Sequence, residues 1–124
     1  MRKILNVIFI LSSLFVVLAC YNDNEYDLYP FAGTTCDSSN VTFSGTVAPI
    51  MSANCNSCHS TSVASGNVTT DNYNGLLLIV NDGRLWRDIS WEQGSDPMPK
   101  GGNQLSFCDR GKIKKWINLG SPNN

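Results

Sequence analysis

The chain has 124 residues, with 9 basic and 10 acidic side chains and five cysteines. That length holds one small domain and little more. A formal net charge of −1 excludes the basic footprint of a nucleic-acid binder, and five cysteines are many for a cytosolic chain of this size.

Arg2 and Lys3 precede a mostly apolar run from Ile4 to Leu18, interrupted by Asn6, Ser12 and Ser13. A basic start, an apolar stretch and a small residue before a cut make a secretory signal. The run ends Val17-Leu18-Ala19-Cys20. This resembles a bacterial lipoprotein signal, in which Cys20 is lipidated and becomes the new N-terminus. An uncleaved anchor is the alternative, but about 15 apolar residues fall short of the roughly 20 that span a bilayer as a helix. Loss of residues 1–19 removes Arg2 and Lys3, leaving 7 basic and 10 acidic side chains and a formal charge of −3.

Residues 20–40 are rich in Asn, Asp, Tyr and Ser, include Pro30 and Gly33, and show no periodicity. They read as a tether between lipid and domain. Asp23, Glu25 and Asp27 could form a sorting signal for export, although acidic residues in a solvated linker need no special role. The domain proper is expected at residues 41–124.

Val47, Ile50 and Met51 recur at helical spacing and share one face. Pro49 fits only the first turn of a helix, which should therefore begin near Thr46 or Ser44. The helix leads into Cys55-Asn56-Ser57-Cys58-His59. This is C-x-x-C-H, the attachment sequence of a covalent c-type haem. The spacing has a chemical reason. Two cysteines three apart lie on one side of a helical turn, where each can form a thioether with one vinyl group of a single porphyrin. The adjacent imidazole then lies below the ring as proximal iron ligand. His59 is the only histidine in the chain.

A second helix is expected from Asp71 as N-cap, with Tyr73, Leu76, Leu77 and Val80 as apolar positions and Gly83 as its end. Arg84 to Ile89 predicts a short third helix carrying Leu85 and Trp86. Asp96-Pro97-Met98-Pro99-Lys100-Gly101-Gly102 follows as a proline-stiffened loop. Ser106 and Asp109 then form a capping-box-like pair at the start of a last helix. Ile113, Trp116 and Ile117 are its buried stripe, Gly120 its C′ residue and Pro122 its stop. No segment alternates as a strand. The fold class is all-α: three to five short helices packed around one haem. About 85 residues cannot bury a large core, so the domain without haem is expected to be much less stable.

Once Cys20 is assigned to lipid and Cys55 and Cys58 to haem, Cys36 and Cys108 remain. In an oxidising compartment a disulfide is the simplest use of them; two free buried thiols are the alternative. Closing a loop of about 70 residues is worth roughly 4 kcal/mol in the chain-entropy model. The second axial ligand must come from Met51 or Met98. Met51 lies on the buried face of the first helix, so Met98 is the favoured distal ligand, with gap-filling in the core as its alternative role.

This order of motifs resembles class I cytochromes c, and small bacterial lipoprotein cytochromes c in particular. The likeness spans roughly residues 36–124. It rests on Val47-Ala48-Pro49-Ile50 before Asn54-Cys55, Gly83-Arg84-Leu85, Met98-Pro99-x-Gly101-Gly102, and Leu105-Ser106-x-Cys108-Asp109 with Ile113-x-x-Trp116-Ile117 and Gly120-x-Pro122-Asn123-Asn124. It implies thioethers at Cys55 and Cys58 with His59 and Met98 as axial ligands. One departure is the lack of a Gly/aromatic pattern in the first helix, which leaves close packing of the first and last helices open.

The expected role is single-electron transfer between redox partner proteins outside the cytoplasm, by a monomeric, non-enzymatic protein held at a membrane by its N-terminal lipid and facing the periplasm or cell surface. Arg84, Arg87, Lys100, Trp86 or Trp91 could line the pocket or meet the haem propionates. Lys112, Lys114 and Lys115 could dock an acidic partner or simply form a solvated face. Two other roles compete. A haem sensor or peroxidase-like protein needs a labile Met98, but the chain supplies no distal histidine. A haem-free site would use Cys55, Cys58 and His59 with Cys36 or Cys108 around zinc, or Cys55 and Cys58 as a redox dithiol.

Overall fold

A computed structural model describes residues 36–124. The export signal, Cys20 and the tether as far as residue 35 lie outside the described residues. Within Cys36–Asn124, a single compact unit, the secondary structure is entirely helical. Among the described residues no helix is long and apolar enough to cross a membrane.

The first helical run opens with a π-helical turn, Phe43–Val47, and continues as α1, Ala48–Asn54. Thr42 caps it, its hydroxyl accepting from the Gly45 amide at 3.0 Å. The start is therefore slightly earlier than Pro49 suggested. Proline has no N–H to give the preceding turn, and the turn before it takes the wide π form. Cys55 breaks the run with φ −125°, and α2, Asn56–His59, adds one more turn. A loop with a short 3-10 turn at Ser65–Asn67 leads to α3, Tyr73–Asn81, and then α4, Arg84–Ser90. The last helix, α5, is Phe107–Asn118.

Asn72, not Asp71, caps α3: its side-chain oxygen accepts from the Gly75 amide at 2.8 Å. The Asp71 carboxylate instead reaches back to Thr61, accepting from its amide at 2.6 Å and its hydroxyl at 2.8 Å. The α3 stripe is Leu76 and Ile79, with Val80 packed beside them and Leu78 in solvent. Helix α4 is the expected third helix, one residue longer. Helix α5 has the expected cap, with Ser106 Oγ accepting from the Asp109 amide at 3.0 Å. The Asp109 carboxylate, however, accepts from the Ser106 hydroxyl rather than from a backbone amide. Gly120 has φ 85°, the left-handed geometry that ends a helix with least strain in glycine.

The core is one cluster in which Val47, Met51, Leu76, Ile113 and Trp116 are fully buried. First and last elements do pack: the Phe43 ring lies 5.9 Å from that of Trp116 and 5.2 Å from that of Tyr73. The C-terminal tail seals this end. Trp116 Nε1 donates to the Pro122 carbonyl at 2.9 Å, and Tyr73 Oη to that of Ser121 at 2.9 Å. The Phe43 and Ser44 amides donate to Asn124. Cys36 and Cys108 are joined, with Cα atoms 5.5 Å apart.

Candidate functional site

A cavity adjoins the core, which supplies Ile79, Leu85 and Ile89 to its wall. A pocket of about 440 Å³ is walled by Val68, Ile79, Leu85 and Ile89 and bordered by Cys55, His59, Thr70, Arg84, Asp88 and Met98. A second space of about 1000 Å³, open to solvent, shares Cys55, His59 and Met98 with it. Cys58, Asn54, Ser57, Pro99, Asp96 and Lys100 are also on its rim. The residues singled out in the sequence thus converge. Cys55, Cys58, His59 and Met98 border one cleft, although Met98 is 40 residues beyond Cys58.

The C-x-x-C-H segment is placed by its helix. The Cys58 and His59 amides both donate to the Cys55 carbonyl, at 3.1 and 2.9 Å, which curls the segment into one turn. Cys55 packs against the core and Cys58 is exposed. Burial pushes the Cys55 thiol up to about 11. The attacking thiol of a redox dithiol needs the opposite shift, toward thiolate, so Cys55 is not suited to that part. The His59 ring is half-buried, and its Nδ1 is buried with no hydrogen-bond partner. Leaving such an atom unpaired costs about 1–3 kcal/mol, so the imidazole is short of one partner.

Thr70 was not anticipated from the sequence. It is 5 % exposed, and its amide donates to the His59 carbonyl at 2.7 Å. Its hydroxyl lies 2.8 Å from Asn56 Oδ1 and 3.3 Å from the same carbonyl. With Asp71 on Thr61, this staples both sides of the loop that follows His59. Two hydrogen bonds from Thr61 hold the Asp71 carboxyl below its ordinary value, the backbone one contributing most. The signal in the sequence is slight: Thr69-Thr70-Asp71 is a short polar run just before a helix, with no period. Gly75 is buried where α3 crosses this run. A Cβ there would overlap Thr69 Oγ1 and come within 2.8 Å of the Thr69 carbonyl oxygen.

Met98 is half-buried and lines the cavity instead of joining the core cluster. Its amide donates to the Asp88 carbonyl at 3.0 Å, and its own carbonyl accepts from Trp91 Nε1 at 2.8 Å. The Asp96 amide lies 3.3 Å from Asp88 Oδ1, and Lys100 pairs with Asp96. Met51 is wholly buried in the core.

The other candidates separate. Arg84 borders the pocket while paired with Asp82 at 2.7 Å, and Lys100 borders the open cleft. Trp86 lies beneath Lys114, whose Nζ is 4.4 Å from the ring centroid. Neither Trp86, Trp91 nor Arg87 lines either space. Cys36 and Cys108, bonded to each other, have no thiolate to offer a metal. Among the described residues no group of three or more His, Cys, Asp or Glu side chains could hold a metal ion. No family model matches the chain, no curated protein is similar to it, and no solved structure matches its fold.

Proposed function

We propose that this chain is a lipid-anchored monohaem c-type cytochrome that carries single electrons between partner proteins outside the cytoplasm. The observation that carries the reading is the convergence of Cys55, Cys58, His59 and Met98 on one cleft. Two thiols, one imidazole and one thioether are the donor set of a His/Met haem c. The residues fit the group in two further respects. The pocket wall is apolar, as a porphyrin face requires, and the His59 ring has a buried nitrogen without a partner. Each thiol would add its S–H across one vinyl group, so no atom leaves. A haem held there supplies a one-electron couple, and that chemistry is its own.

The chain's part is to hold and to exclude. Val68, Ile79, Leu85 and Ile89 keep water from one side of the pocket. Thr70 fixes the backbone at His59, and two backbone hydrogen bonds fix Met98. A ligand loop tied on both sides favours a permanent axial ligand, and so a carrier, over a sensor that must release it. The bonded Cys36–Cys108 pair, with no thiolate to complete a metal site, weighs against the zinc reading.

The test is the protein itself, produced in cells that mature c-type cytochromes. Its intact mass should equal the processed chain with its Cys20 lipid plus one whole haem, and its colour should survive acid–acetone extraction. Met98→Ala should keep the attached haem but lose the low-spin Met-ligated spectrum and lower the potential. A colourless wild-type protein with both Cys55 and Cys58 open to alkylation would end the proposal.

A further inference from the structure

We infer that Trp91 is a positioning residue for the Met98 thioether, an inference that rests on the haem reading above. Three observations meet at this side chain. Trp91 has φ 58° and ψ 40°, a left-handed conformation uncommon outside glycine, asparagine and aspartate and strained for a bulky residue. The residue is 42 % exposed, so burial does not account for an aromatic side chain in that conformation. Its indole N–H reaches seven residues along the chain to the Met98 carbonyl, at 2.8 Å.

The geometry gives that hydrogen bond a purpose. Trp91 is the C-cap of α4, and its left-handed turn reverses the chain at the end of the helix. The Met98 amide is already taken by the Asp88 carbonyl, also on α4. With the indole on the Met98 carbonyl, both backbone polar groups of this one residue are tied to a single rigid helix end. That leaves the Met98 side chain few directions, and the cavity bordered by His59 is the one it takes. Phenylalanine would keep most of the ring and none of the donor. Glycine would relieve the backbone strain and also lose the donor.

The experiment compares full-length holoprotein with Trp91→Phe and Trp91→Gly variants. Imidazole is the probe, since it can bind the iron only by displacing Met98. Losing one hydrogen bond that holds the native ligand should raise imidazole affinity about fivefold, in both variants, and lower the reduction potential. The thermal midpoint of the Trp91→Phe variant should fall by only a few degrees, as loss of one hydrogen bond requires. A purely structural role predicts that same fall with imidazole affinity and potential unchanged. That result overturns the inference and leaves the haem reading standing. A wild-type protein without haem overturns both.

Discussion

Around Trp116 the chain is closed by side-chain burial; around His59 it is closed by hydrogen bonds to backbone. At the first place the Phe43 ring meets Tyr73 edge-on and Trp116 at a tilt, and the C-terminal tail caps the indole and the phenol. Little space is left. At the second place Thr70, Asp71, Asp88 and Trp91 each hold a neighbouring segment, and the space between the segments stays open. The first region derives its stability from apolar area. The second gains a little from each hydrogen bond, which orders loops but does not build a core. A small domain can thus shape a binding site by leaving part of its interior to another molecule, provided the opposite end is well packed.

The largest effect that can be put on this contrast is Trp116→Ala. Removing a wholly buried indole should cost about 3–5 kcal/mol, measured by denaturant unfolding, and should loosen the Phe43 turn and the C-terminal tail at once. Thr70→Val should cost less, about 1–3 kcal/mol, because it leaves the Asn56 amide without its hydroxyl partner while keeping the shape of the site. Its near-ultraviolet circular dichroism should retain the aromatic signature of the Trp116 end. Equal losses from the two variants would mean that the regions are not held differently after all.

The smallest effect is one of pH. Asp71 is held below its ordinary value of 3.8 by the Thr61 hydrogen bonds. A carboxyl whose folded pKa is depressed stabilises the folded state above its unfolded pKa, and that contribution fades as pH falls through the folded value. The stability difference between wild type and Asp71→Asn should therefore be constant near neutrality and shrink below about pH 4. Titrated denaturation curves that run parallel down to pH 2 would remove Asp71 from the list of residues closing the site.

Much of the packed region was legible in advance. The cap at Ser106, the stripe Ile113 and Trp116, and the stop at Gly120 follow from helix geometry, which repeats and so leaves a period in the sequence. The contact of Phe43 with Trp116 did not, because it joins residues far apart with no shared pattern. The site was legible in its reactive residues, since C-x-x-C-H and a Met between prolines are short and local. Their supports were not. Thr70 and Trp91 act through one backbone atom each, and nothing in a residue's type announces which carbonyl it will meet. Asp71 misled for a related reason. Asp and Asn are both good N-caps, adjacent here, and the choice between them was made by Thr61 across the loop.

Gly75 carries a consequence out of proportion to its size. Any side chain at that position would wedge Thr69 away from α3, and Thr70, the next residue, grips the carbonyl of His59. A methyl group added there would therefore be felt at an imidazole it never touches. If the cleft holds haem as proposed, then in a scan of every substitution in the chain, scored by colour alone, position 75 should behave like His59 itself, although it offers no chemistry and its contribution is only the room it leaves.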